Sequence, residues 1–189
     1  MLWMAKKLEA IASFLRNNTG KIFLAIAVLL LISLFFGIPL KTVFMIPLLV
    51  VAASFSTFYF NYFVAPVNFE LVKLATILAA VAYGFLPGLA VGIASTFFGK
   101  VLIGRVDEKL PLSMLMISII AVAAAIFSTA NITMLGITLV LAYNATMFAL
   151  TQLMGGGLAW NLPYEGTNFA FNVVLFVKVA PFLLQLMHH

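Results

Sequence analysis

This chain of 189 residues has no cysteine and few charged side chains. Without cysteine it has no disulfides, no thiolate nucleophile and no cysteine-ligated metal. Only 8% of the residues are charged, and five of these are acidic. So few carboxylates leave little for a metal site, and we expect neither a metal nor a cofactor. The sequence also lacks a phosphate-binding loop, a Gly-x-Ser-x-Gly elbow and a His-Glu metal motif, so it indicates no catalytic residue.

Hydrophobic residues, in contrast, make up 65% of the chain. They recur in runs close to the roughly 20 residues with which an α-helix crosses about 30 Å of hydrocarbon. These runs nearly use up the chain, which leaves no room for a soluble or nucleic-acid-binding domain. We therefore predict an all-α protein, a polytopic bundle of six to seven transmembrane helices in the plasma membrane, in contact with lipid.

Two regions are expected. Residues 1–21 are predicted to form an amphipathic helix on the membrane surface, because the apolar residues Met4, Leu8 and Ile11 share one helical face. A signal peptide is the alternative, although no small-x-small cleavage site follows. Residues 22–189 are predicted to form a single transmembrane domain. Its apolar segments are 22–37, 42–60, 68–84, 88–104, 111–130, 132–155 and 167–187.

The basic residues indicate an orientation. Under seven spans, Lys41 falls alone on one side of the membrane. The opposite side receives Lys6, Lys7, Arg16, Lys21, Arg105 and Lys109. By the positive-inside rule the N-terminus is then cytoplasmic. The tight connection from Gly84 to Gly88 also permits a re-entrant pair of segments, so six full spans, with both termini in the cytoplasm, are an alternative.

Lys178 is the ionisable residue closest to the middle of a predicted span, 167–187. An isolated charge at the bilayer centre costs about 3 kcal/mol or more, so we expect a partner or a ligand beside it. Pro181 removes a backbone donor and is expected to kink the helix. Lys178 then either pairs with Asn144 or Tyr143, or provides the counter-charge for an anionic ligand.

Other polar and aromatic residues are candidates for the same site. Asn144 needs hydrogen-bond partners within hydrocarbon, which a neighbouring helix or a ligand can supply. Trp160 and Tyr164 belong to a glycine-rich loop that we expect before the last segment, as an interfacial aromatic belt or a mobile lid. We predict a ligand site formed by Lys178, Asn144, Asn172, Trp160 and Tyr164.

Two further pairs are candidates for contact with a partner protein. Gly88 and Gly92 lie one helical turn apart, a spacing that lets helix backbones approach closely. Glu70 and Lys73 also lie one turn apart, at the predicted cytoplasmic face. They form either an interfacial ion pair or part of a docking surface. We predict partner docking through these four residues.

The stretch 66–128 resembles the substrate-binding subunits, or S components, of energy-coupling-factor vitamin transporters. In both, one helix ends in a Gly-Pro-Gly-like turn, and a glycine-rich helix follows that ends near a lysine, here Lys100. The turn residues are Gly84, Pro87 and Gly88. The last segment, with Asn168 and Asn172, is also similar. The glycine pattern is similar, more weakly, to that of MreD-type membrane proteins.

The resemblance implies a subunit that has no catalysis of its own. It would bind a vitamin-like small molecule near the outer face and dock on a transmembrane coupling protein driven by two ATPases. The residues leave two other hypotheses open. One is a scaffold or assembly protein that packs on its partner through Gly88 and Gly92. The other is an intramembrane lipid-processing enzyme that uses Glu70 in a cavity.

Overall fold

The computed structural model describes residues 18–21, 24, 27–28, 31, 34, 39–62, 65–104 and 106–188. The chain divides into two compact units, Met1–Phe44 and Met45–His189. In the first unit, the described positions between 18 and 34 are helical. Most of the predicted amphipathic helix, 1–21, and most of the first predicted span, 22–37, lie outside the described residues.

All regular elements in the described part of the chain are helices, which confirms the all-α class. They are α1 (Leu40–Phe55), a 3₁₀ turn (Phe58–Asn61), α2 (Val72–Tyr83), α3 (Phe85–Leu102), α4 (Lys109–Ile126), α5 (Ile132–Leu153), α6 (Leu158–Lys178) and α7 (Ala180–His188). From α1 onward, their order along the chain follows that of the predicted apolar segments.

Several of these helices are long and apolar enough to cross a membrane, as expected for a membrane-embedded protein. The four that qualify alone are Leu40–Asn61, Phe85–Leu102, Lys109–Ile126 and Ile132–Leu153. Helices α6 and α7 qualify together as a fifth, bent by 53° at the break between them. The described residues thus provide four or five candidate spans, and the predicted six to seven are not confirmed.

Helix α2 lies at the centre of the second unit. Nine of its twelve residues are buried, and it contacts every helix from α3 to α7. At 1.5 Å per residue it is about 18 Å long, well short of a 30 Å span. The chain enters it through a non-helical stretch, 67–71. Such backbone is tolerated at membrane depth only where protein or a cavity surrounds it.

Helices α2 and α3 form a tightly packed pair. Gly84 joins them with a φ of +92°, a conformation that favours glycine. A Cβ on Gly88 would lie 2.5 Å from Cβ of Ala80, and one on Gly92 would lie 2.9 Å from Oγ1 of Thr76. The glycine spacing therefore serves a close helix approach, as its pattern indicates. The face that we expected to dock on a partner is covered by α2 of the same chain.

Candidate functional site

A polar cavity of about 220 Å³ lies at one end of the helices of the second unit. Its walls come from the ends of α3 and α5, the starts of α2, α4 and α6, and the region of the 3₁₀ turn. Its ionisable lining residues are Glu70, Lys73, Lys100, Asp107, Lys109 and Glu165. Its aromatic lining residues are Phe60, Tyr143, Trp160 and Tyr164.

Lys73, in the first turn of α2, is only 1% exposed. Its ammonium bonds the carboxylate of Glu70 and lies 4.3 Å from the ring centroid of Tyr143 on α5. A buried charge requires such partners, because removal from water costs several kcal/mol. The ion pair expected between Glu70 and Lys73 is thus present. It lies inside the cavity wall, where Lys73 is not available to a partner protein.

A second ion pair lies in a more exposed part of the cavity wall. The ammonium of Lys100, at the end of α3, is 3.4 Å from a carboxylate oxygen of Asp107. Both side chains keep considerable exposure, and exposed pairs of this kind contribute at most about 1 kcal/mol. Lys109, in the first turn of α4, is half-buried nearby along the chain. These residues set the charge of the more open side of the cavity.

Trp160 and Tyr164, two of the residues that we expected at a ligand site, both line the cavity. They do not lie on a flexible loop, because α6 already begins at Leu158 and the connection is confined to 154–157. The ring of Tyr164 stacks on Phe60 with 6.0 Å between centroids. The first two turns of α6 therefore carry both side chains.

Glu165 is a cavity residue that the sequence did not suggest as part of the site. It lies in the second turn of α6, within electrostatic range of both Lys73 and Glu70. The sequence did contain a signal, since polar residues recur at helical spacing through this region. They are Asn161, Glu165, Asn168 and Asn172. The three glycines at 155–157 led instead to the expectation of a mobile loop.

Asn144 and Asn172 are buried and belong to a group of hydrogen-bonded side-chain amides next to the cavity. Neither residue lines the cavity. The side-chain nitrogen of Asn144 donates to Oδ1 of Asn168 at 3.1 Å and to the carbonyl of Glu165 at 3.2 Å. That of Asn172 donates to the carbonyl of Asn168 at 3.0 Å. Of the two roles expected of Asn144, the structure shows the interhelical hydrogen bond. It fixes α6 against α5 at the level of Glu165.

Lys178 lies at the other end of α6. The hydroxyl of Thr133, in the first turn of α5, donates to the carbonyl of Phe176 at 2.9 Å. This contact places Lys178 level with the start of α5, about 20 Å along the helix from Glu165. Its side chain is exposed, and the helix breaks directly after it, which confirms the expected kink before Pro181. The structure does not bring Lys178 to the cavity.

The arrangement suits the binding of a small polar molecule. Charged and aromatic side chains converge from six parts of the chain on one concavity. Within the described residues no three His, Asp or Glu side chains are grouped so as to hold a metal ion. No family model matches this chain, and no curated protein or solved structure is significantly similar to it.

Proposed function

We propose that this protein is a membrane-embedded subunit that binds a small polar molecule for uptake, together with a separate coupling and ATPase module. The cavity carries the proposal. It gathers six ionisable and four aromatic side chains in a chain of which only 8% is charged. Charged groups among membrane helices are costly, and they generally mark substrate pathways. Concave sites with a few convergent polar groups are typical of ligand binding.

The non-helical backbone that precedes α2 supports a substrate site like those of transporters. The non-helical stretch 67–71 precedes this short central helix, and both Asn68 and Glu70 from it line the cavity. Transporters place their substrate sites where membrane helices are discontinuous, because free backbone groups and helix ends are exposed there. The volume of about 220 Å³ lies below the roughly 300–1,000 Å³ of drug-sized ligands, so a small metabolite fits best.

Orientation determines what the cavity can capture. Helix α2 starts at the cavity and ends at Gly84, so the glycine turn lies at the opposite end. If that turn faces the cytoplasm, as the resemblance to S components implies, the cavity opens to the outside and suits uptake. If the basic residues around Lys109 face the cytoplasm, as the charge distribution predicts, the cavity opens inward.

Native mass spectrometry of the detergent-purified protein, combined with uptake assays in cells, tests the proposal. We expect wild type to retain a small molecule, and Trp160→Ala and Tyr164→Ala to lose most of it. Phe127→Ala is the matched control, since Phe127 is an exposed aromatic residue outside the cavity wall. If wild type retains nothing and the cavity variants support the same cellular uptake as wild type, the proposal is wrong.

The enzyme hypothesis gains one supporting observation, because Glu70 does line a cavity. Its carboxylate bonds Lys73, which holds it in place at the cavity wall. Glu70→Gln separates the two functions. A binding protein keeps a weaker but measurable affinity in this variant, whereas a lipid-processing enzyme loses product formation while retaining its substrate.

A further inference from the structure

We infer that the molecule bound in this cavity carries a positively charged, ammonium-type group. The inference rests on the proposed small-molecule site and adds the chemical class of its ligand. Three observations lead to it: the charge balance of the inner wall, an unused hydrogen-bond acceptor, and aromatic faces beside a carboxylate.

The charge balance is the first observation. Glu70, Lys73 and Glu165 interact with one another in the cavity wall. With both carboxylates ionised, this cluster of two carboxylates and one ammonium has a formal charge of −1. The ammonium of Lys73 is already used, because it bonds Glu70 and lies over the ring of Tyr143. Within the described part of the chain, Glu165 forms no salt bridge of its own. A cationic group of the ligand completes this cluster.

The basic residues near the more exposed part of the cavity do not supply this charge. Lys100 forms its pair with Asp107. Lys109 is half-buried, and its long flexible stem lets its ammonium reach water. The side chain of Glu165 is shorter and cannot extend to water in the same way. Among the described cavity carboxylates, Glu165 is therefore the one without a salt bridge, since Glu70 and Asp107 each pair with a lysine.

Asn68 provides the second observation. This side chain lines the cavity and is 2% exposed, and its Oδ1 has no hydrogen-bond partner among the described residues. The backbone amide of Asn68 donates to Oγ1 of Thr167 at 3.0 Å, which fixes the residue in place. An unused buried acceptor costs about 1–3 kcal/mol. A ligand that donates an N–H or O–H bond removes this cost.

The aromatic residues are the third observation. Trp160 and Tyr164 lie one turn apart on α6, and both line the cavity with Glu165. Aromatic faces attract a cation by about 0.5–2 kcal/mol, most strongly when water is excluded. Aromatic side chains next to a carboxylate combine this attraction with a counter-charge. An anionic ligand would lie beside the carboxylate of Glu165 and would gain no such attraction.

Three probes of nearly equal shape test the charge of the ligand. They are choline, its neutral isostere 3,3-dimethylbutan-1-ol, and the anion 3,3-dimethylbutanoate. Binding to the full chain in detergent is measured by calorimetry and by tryptophan fluorescence. We expect choline to bind at least about tenfold more tightly than the neutral isostere, and the anion to bind most weakly. Glu165→Gln should abolish the preference, and Glu70→Gln should reduce it.

Glu108→Gln is the matched control. Glu108 is exposed and does not line the cavity, so this variant should retain the preference for choline. The thermal melting of each variant shows that it is folded. Equal or tighter binding of the neutral or anionic probe, no binding of any probe, or an unchanged preference in folded Glu165→Gln would overturn the inference. The proposed function fails separately, if Trp160→Ala leaves the retained molecule and its uptake unchanged.

Discussion

The ammonium of Lys73 lies 4.3 Å from the ring centroid of Tyr143 while it also bonds the carboxylate of Glu70. The three residues come from the central helix α2, from α5 and from the non-helical stretch that leads into α2. One buried charge thus connects three parts of the chain at the wall of the cavity. Loss of a single member leaves another group without its partner, so we expect the cluster to contribute to stability.

Lys73→Met is expected to destabilise the protein. Methionine has a similar length, so the main loss is the charge that compensates Glu70. Breaking a fully enclosed ion pair costs roughly 3–5 kcal/mol, and the cavity beside Glu70 reduces this cost to about 2–3 kcal/mol. Equilibrium unfolding in mixed micelles measures the change. The double variant Lys73→Met with Glu70→Gln should recover part of the stability, and a double variant less stable than Lys73→Met would contradict this account.

Gly88→Ala is expected to loosen the pair formed by α2 and α3. The new Cβ would lie 2.5 Å from Cβ of Ala80, so the helices must separate. Overpacking of this kind costs about 1–3 kcal/mol. Gly166→Ala is the matched control, because a Cβ on Gly166 has no neighbour within 4 Å. Thermal melting should show a loss for Gly88→Ala alone, because the new Cβ would also lie 2.7 Å from the backbone Cα of Ala80. Equal melting temperatures for the two glycine variants would contradict the observed packing.

Lys178 and Glu108 are expected to lie on opposite sides of the membrane. Glu108 precedes α4 at the cavity end, whereas Lys178 ends α6 about 20 Å from Glu165. The chain has no cysteine, so Lys178→Cys and Glu108→Cys each introduce one thiol without background. A membrane-impermeant maleimide applied to intact cells should label only one of the two. Labelling of both from the same side would contradict this placement, and the labelled residue identifies the side to which the cavity opens.

Lys178 and Glu165 show which parts of the site could be predicted from the sequence and which could not. The hydrophobic pattern placed the last span at 167–187, which put Lys178 near its middle. The helix begins at Leu158 instead, so Lys178 falls at its end and Glu165 enters the cavity wall. The choice between loop and helix at 155–166 depends on tertiary contacts. One such contact is the stacking of Tyr164 on Phe60. Local helix propensity does not predict a contact between residues so far apart in the sequence.

The glycine spacing predicted the helix packing more completely than the charged residues predicted their surroundings. The spacing of Gly88 and Gly92 predicts close helix packing, and α2 packs there. The pattern carries no information about which helix is the neighbour, so a partner protein remained a possible occupant of that face. Glu70 and Lys73 were paired correctly from their separation of three residues. Their burial could not be inferred, because it depends on the central position of α2.

The sequence by itself determined the class of this protein. Its long apolar runs and few charges require helices that satisfy their own backbone hydrogen bonds in hydrocarbon. Tertiary structure alone decided that Glu165 lies near the Glu70–Lys73 pair. Glu70, Lys73 and Glu165 are separated by up to 95 positions in the sequence, and they share one cavity because short α2 is surrounded by its neighbours. Helix periodicity specifies the face on which a side chain lies, whereas the packing of that face against other helices specifies its partner.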